Sequence, residues 1–404
     1  MTFSMRLRLS LMMFLQFFVW GAWWVPFGSY LAKIGLDTWI GTMFSAQGLA
    51  AILSPLFVGA IADRYLSAHI LTGILQLLGA AALTGLSLAG ANPAIVFLFT
   101  LGTLMAYMPT LALVNTIAFG AMENTEREFP AIRVLGTLGW IVAGLLVGWL
   151  HAEQSTWPIR LAAGASVVYG LYCFTLPATP PGAGDAPKTL WALLGIDAIR
   201  SGDRSFWTLV ACSLLLMVPL SFYYAYANAF LVAVGVQGAA GVQTIGQVSE
   251  VGFLLLLPVF LRWFGMKAVL LVGMLAWTAR YILFAYGFDA QGPDYPMLLA
   301  GLALHGVCYD FFLVAGQIWV DQRFPVESRA RAQSFLALVT WGVGSIVGSL
   351  LANAVFNANA AAAHGMHDWT RFWTVPALLA AIVALLFALL FQNRTATHAS
   401  EKRS

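Results

Sequence analysis

Long apolar runs, broken at intervals by charges and by Gly, Pro or Asn, set the pattern of this chain. A helix needs about 20 mostly apolar residues to cross a bilayer. Runs of that length fall at roughly 9–31, 39–62, 69–90, 94–120, 131–150, 158–177, 206–234, 243–264, 267–288, 295–321, 331–357 and 370–392, and they predict twelve transmembrane helices. A membrane barrel would instead alternate polar and apolar residues in short segments. Runs such as LLLLPVFL (254–261) do not alternate. The first run is long and lacks a small-residue cleavage site, so it reads as the first span rather than a signal peptide.

Composition agrees with the pattern. The chain has 404 residues, 60% of them apolar and 9% charged, with a net charge of +3. A soluble domain carries roughly a quarter charged residues, so soluble folds, disulfide scaffolds, disordered tails and nucleic-acid-binding domains are excluded. The three cysteines, Cys173, Cys212 and Cys308, all fall within spans, which argues against a disulfide framework. An all-α, multi-pass membrane protein remains.

Twelve spans place both termini on one side. With the termini cytoplasmic, fifteen Lys and Arg lie inside, among them Arg6, Arg8, Arg64, Arg127, Lys188, Arg204, Lys267 and Arg323. Only Lys33, Arg160 and Arg371 lie outside. The positive-inside rule selects that orientation.

The longest polar gap, 178–205, begins TPPGAGDAPKT and divides the spans six and six. Its Pro and Gly residues suit a flexible cytoplasmic linker, and LWALLGIDAI after them suits an interfacial helix. The expected units are a six-helix bundle over 1–177, the linker, and a second bundle over 206–404 with a short cytoplasmic tail. Two halves around a midplane site are the layout of secondary transporters.

Four charges remain inside spans: Arg133, Glu250, Arg280 and Asp310. Each costs about 2.5–3.5 kcal/mol on insertion scales, so each needs a partner or a wet cavity. One reading makes them structural ion pairs. The favoured one gives Glu250 or Asp310 a part in proton handling, because a carboxyl facing a gated cavity can load and release a proton as its surroundings change.

Polar and aromatic residues accompany these charges at helical spacing. Arg133, Thr137 and Trp140 share a face of the fifth span; Ser221, Tyr224 and Asn228 share one on the seventh, with Tyr223 and Tyr226 beside it. Gln247 and Glu250 lie one turn apart on the eighth span, and His305 and Tyr309 on the tenth, with Asp310 adjoining. Such faces suit a flat, polar, uncharged solute that stacks and hydrogen-bonds. Single aromatics here could equally be packing or interfacial residues.

Pro26, Pro55, Pro109, Pro219 and Pro258 interrupt spans, and Gly144/Gly148 and Gly344/Gly348 form GxxxG pairs suited to close helix packing. His364, His367 and Asp368 make too small a set for a metal site. No phosphate-binding loop, nucleophile–base pair or cofactor motif is present, so neither ATP-driven transport nor an enzyme is expected, and no cofactor.

GAIADRY (59–65), between the second and third spans, resembles the loop motif of the major facilitator superfamily, with LRWFGMK (261–267) as its degenerate counterpart. The resemblance implies a cytoplasmic gate role for Asp63 and Arg64. After Tyr65, LSAH departs from the usual Gly and basic residues. A closer resemblance runs nearly end to end. LQFFVWGAWWVPFGSYL (15–31), AYMPTLALVNTIAF (106–119), FPAIRVLGTLGW (129–140), GQVSEVGFLL (246–255), ARYILFAYG (279–287) and YDFFLVAG (309–316) are similar to the nucleoside–proton symporters of bacterial inner membranes.

That resemblance implies proton-driven nucleoside uptake by a monomer in the inner membrane, through a cavity between the halves. It places Arg133, Thr137, Trp140, Gln247, Glu250 and Tyr309 at the substrate, with Ser221, Tyr224, Asn228 and His305 completing the pocket. Glu250 and Asp310 become the coupling candidates, with Arg133 and Arg280 as their charge partners. The chain departs from the family at Ser221, Tyr224, His305 and Tyr309, all in the pocket. A sugar, a glycoside or a modified nucleoside is therefore the alternative solute, and a solute receptor that does not transport is the alternative class.

Overall fold

The structure is a computed structural model that describes residues 1–64, 66–178, 202–359 and 368–392. The side chains of Asp63 and Arg64, the expected interfacial helix, most of the linker, His364, His367 and the end of the tail lie outside the described residues.

The described chain is almost entirely helical. A first set comprises α1 (Phe3–Trp24), α2 (Phe27–Lys33), α3 (Ile40–Arg64), α4 (Ala68–Leu88), α5 (Pro93–Tyr107), α6 (Thr110–Gly120), α7 (Thr125–Trp149) and α8 (Trp157–Cys173). A second set comprises α9 (Arg204–Ala233), α10 (Ala239–Tyr286), α11 (Tyr295–Cys308), α12 (Ala315–Arg323), α13 (Val326–Ala337), α14 (Ser345–Ala358) and α15 (Trp369–Leu390). Two π-helical stretches, Tyr309–Val314 and Leu338–Gly344, join α11 to α12 and α13 to α14.

Short polar residues start these helices. Thr2, Asn92, Asn124, Asp203, Asp294 and Asp368 each accept a backbone N–H of the first turn, which satisfies donors a helix start leaves free. Proline divides others. Pro26 separates α1 from α2, and Pro109 separates α5 from α6, because proline removes a helix hydrogen bond and crowds the preceding turn.

Among the described residues, nine helical stretches are long and apolar enough to cross a membrane, where the sequence predicts twelve. The difference has three sources. Ile40–Arg64 and the 17-residue Trp157–Cys173 coincide with expected spans but are not among the nine. The 48-residue α10 covers two expected spans in one assignment, although its backbone breaks at Gly265, where φ is 76° and ψ is 165°. Glycine takes this left-handed region without the Cβ penalty other residues meet.

Within the first set, α1 packs on α7 and α8, and α4 on α5 and α8; within the second, α10 packs on α11 and α15, and α9 on α14 and α15. The sets meet through α3 against α14 and its π-helical lead-in, α7 against α10, and α2 against α9. Small residues permit the approach. A Cβ on Gly41 would lie 2.2 Å from the Ser349 carbonyl oxygen, and one on Gly148 would lie 2.5 Å from the Gly241 nitrogen. Gly344 and Gly348 bring α14 equally close to Met217 and Ser221 of α9.

Polar bonds across the sets gather at the end of the bundle opposite the termini. Ser29 Oγ donates to Asn228 Oδ1 (2.6 Å), and the Gly41 N–H reaches Tyr226 Oη and Asn353 Oδ1. Asn353 and Asn357 donate to the Thr38 carbonyl, and the Ala240 N–H to Glu153. Among the described residues, the polar bonds found at the terminal end lie within one set, as in Arg8 to Thr175 and Arg323 to Asp203.

Candidate functional site

Between the two sets lies a cavity of about 610 Å³. Its wall takes Phe17, Trp20 and Trp24 from α1, Gln47 and Ser54 from α3, and Asn115 from α6. Arg133, Thr137 and Trp140 come from α7, Tyr224 from α9, Gln247 and Glu250 from α10, His305 from α11, and Tyr309 and Trp341 from the π-helical stretches. Eight of the ten expected substrate residues share this wall. Drug-sized ligands occupy pockets of about 300–1,000 Å³ lined by aromatics and a few polar groups, which is the make-up here.

Among the described residues, Arg133 forms no salt bridge to a carboxylate. Its guanidinium lies 4.3 Å from the centre of the Phe17 ring, a cation–π contact. Trp140 stands edge-on to Trp20 at 5.3 Å, and Trp20 leans on Tyr107 at 5.4 Å. Across the cavity, Trp341 lies 6.5 Å from both Tyr224 and Tyr309. One side of the cavity therefore offers an indole and a guanidinium; the other offers two phenols and an indole.

Both Tyr309 and Trp341 stand on π-helical turns. A π turn carries one extra residue and re-aims the side chains after it, and such turns are frequent at functional sites. The regular 3.6-residue period contains no signal for them.

Glu250 lies beside His305, with Oε2 3.8 Å from Nε2, and His305 Nδ1 lies 3.0 Å from Arg280 Nη1. Arg280 is buried with its guanidinium carbon 3.5 Å from the centre of the Tyr223 ring. Asp310 is buried, and neither of its carboxylate oxygens has a hydrogen-bond partner among the described residues. No arginine is salt-bridged to Glu250 or Asp310 among the described residues, so the reading of the four charges as structural ion pairs does not describe this conformation.

Ser221 and Asn228 do not line the cavity. Ser221 Oγ donates to the Met217 carbonyl one turn back (2.8 Å), and Gly348 packs against it. Asn228 joins Ser29 to Gln243 Oε1, which accepts from its amide at 2.6 Å. The sequence reading did not single out Phe17, Trp20, Trp24, Gln47, Asn115 or Trp341. Gln47 and Asn115 carried a signal, as polar side chains within spans; the aromatics carried none that separates a cavity wall from a lipid face.

Two helix sets closed at one end around a midplane cavity define a secondary transporter of the major facilitator type. The model of the nucleoside H+ symporter family matches residues 1–396, and the chain belongs to that family. It is 38% identical over 389 residues to the putative nucleoside transporter YegT of Escherichia coli K12, covering 92% of this chain and 90% of that one. It is 34% identical over 391 residues to the xanthosine permease of the same organism, covering 92% of each. The crystal structure of the nucleoside transporter NupG superposes with a TM-score of 0.87 at 30% identity, covering 97% of this chain and all of that one. The chain is thus a multi-pass membrane transporter and not an enzyme.

Proposed function

We propose that the protein imports nucleosides together with protons by alternating access, as a monomer in the bacterial inner membrane with both termini cytoplasmic. The carrying observation is the convergence of Arg133, Thr137, Trp140, Gln247, Glu250, His305 and Tyr309, from three separate stretches of chain, on one cavity between the helix sets. Names of relatives support the solute class: nucleoside transport is stated for YegT and NupG, and xanthosine for the permease.

In this reading the base stacks between Trp140 and the Tyr224, Tyr309 and Trp341 cluster. Thr137, Gln247 and His305 hydrogen-bond the solute, and Arg133 holds its polar edge. Glu250 or Asp310 carries the coupling proton. The two bodies are 1–177 and 206–404, joined by 178–205, and Asp63 and Arg64 serve the gate at the terminal end. With the termini cytoplasmic, the described conformation is sealed on the outside by the Ser29–Asn228 and Gly41–Asn353 contacts.

Uptake of labelled uridine and adenosine into proteoliposomes, with and without an inward proton gradient, tests the proposal. The expected result is accumulation that requires the gradient. No gradient-stimulated uptake of any nucleoside would overturn the solute assignment and leave the fold standing.

A further inference from the structure

Arg280 is fully buried on α10, is not part of the cavity wall and pairs with no carboxylate among the described residues. Its Nη1 lies 3.0 Å from His305 Nδ1. A guanidinium carries N–H donors and no acceptor, and it keeps its proton in proteins. The imidazole nitrogen facing it must therefore accept, and so is bare. The ring's single hydrogen then sits on the other nitrogen, Nε2, which lies 3.8 Å from Glu250 Oε2 in the cavity wall. An imidazolium would instead oppose N–H to N–H and one positive charge to another.

The surroundings hold this arrangement. Tyr223 stacks on the His305 ring at 5.3 Å and on the Arg280 guanidinium at 3.5 Å, so one ring backs both partners. Gly246 gives the ring room, since a Cβ there would approach the His305 Cβ to 3.2 Å. Ser249 bonds both the Ala303 carbonyl and the Gly306 N–H, pinning α10 to α11 beside Glu250. Besides Arg280 and Glu250 of α10, Tyr223 of α9 and Tyr309, one turn along, face the ring, and Cys308 of α11 lies beside Arg280.

We infer that Arg280 is a positioning residue that fixes His305 as the neutral Nε2–H tautomer, so that His305 and Glu250 present one N–H donor beside one carboxylate acceptor and together read a hydroxyl of the solute. A hydroxyl accepts and donates at once, so it satisfies both partners; a carbonyl or an ammonium satisfies only one. In a nucleoside the hydroxyls belong to the sugar, so the assignment to a sugar hydroxyl rests on the nucleoside reading above. The tautomer assignment does not.

The test is magnetic resonance on the full chain in lipid nanodiscs with isotope-labelled histidine, the His305 signals assigned by their loss in His305→Gln. The expected result is a bare Nδ1 and a protonated Nε2 in the native protein and in Arg280→Lys, and mixed tautomers or a cation in Arg280→Met. A protonated Nδ1 in the native protein, or a native signature in Arg280→Met, would overturn the inference. A second arm measures competition of each monodeoxyuridine against uridine uptake. In the native protein one of them binds about tenfold more weakly than uridine, the scale of one hydrogen bond to a charged site. That discrimination collapses in Arg280→Met and in His305→Phe; its persistence in both rejects the hydroxyl-reading role. Should Arg280→Met not fold, the native spectrum and His305→Phe decide. Failure of all nucleoside uptake in the native protein would instead overturn the solute assignment and leave the tautomer arm standing.

Discussion

Ser29 Oγ donates to Asn228 Oδ1 at 2.6 Å, and this buried bond ties α2 of the first helix set to α9 of the second. The Asn228 amide passes the link on to Gln243 of α10, also at 2.6 Å. The Ser29–Asn228 bond must break if the closed end is to open, whereas the Asn228–Gln243 bond lies within the second set and can persist. Removing one partner of a buried polar pair costs about 1–3 kcal/mol, and 1.4 kcal/mol is about tenfold in a two-state population. Asn228→Ala is therefore expected to shift the protein toward opening at this end. Spin labels at the exposed positions Lys33 and Gln237 should report longer distances in the variant; an unchanged distance distribution would show that the bond does not hold the end closed.

Gly48 makes a second perturbation in the same direction available, by added bulk rather than a lost bond. A Cβ at this position would lie 2.5 Å from the Gly342 carbonyl oxygen and 2.6 Å from Ile346, on the facing helix set. Backbone cannot yield as a flexible side chain does, so Gly48→Val should prevent closure rather than distort it. The same pair of labels should then sit at their long distance with or without nucleoside. Recovery of the short distance would mean that α3 slides past α14 at little cost.

The spans were legible because lipid demands about 20 apolar residues in a row, and the Arg133, Thr137 and Trp140 face was legible because a helix repeats every 3.6 residues. Periodicity states a face but not a depth. Ser221, Tyr224 and Asn228 share a face, yet Ser221 and Asn228 are seven residues apart, about 10 Å along a helix. Of the three, only Tyr224 reaches the cavity; Ser221 turns back to its own helix, and Asn228 lies at the closed end. The placement of His305 between Arg280 and Glu250 joins residues 25 apart in sequence on one side and 55 on the other, and no local spacing encodes it. The π turns under Tyr309 and Trp341 likewise leave no periodic trace.

Trp140 stands edge-on to Trp20, which leaves its indole held from one side while it lines the cavity. Stacking of a nucleobase on an aromatic ring is worth about 1–3 kcal/mol by alanine substitution. Trp140→Ala is accordingly expected to raise the KM for uridine by about tenfold, with Trp140→Phe intermediate and the maximal rate altered less than the KM. A fall in maximal rate at constant KM would place Trp140 in the conformational step rather than at the base.

Asp310 is 1% exposed, and both its oxygens lack partners among the described residues. An ionised carboxylate so placed costs on the order of 2.5–3.5 kcal/mol on insertion scales, whereas the isosteric amide carries no net charge to desolvate. Asp310→Asn should thus raise the midpoint of thermal unfolding in detergent. The role proposed for this buried carboxyl is to carry a proton. The same variant should therefore lose gradient-driven accumulation of uridine while retaining its exchange across the membrane. Glu250→Gln tests the other candidate carrier, with one difference: it also removes the acceptor beside His305 Nε2, so it should weaken uridine binding as well. If both variants accumulate uridine as the native protein does, neither carboxylate couples the proton; if Asp310→Asn also unfolds at lower temperature, Asp310 is a structural residue whose partner this conformation does not show.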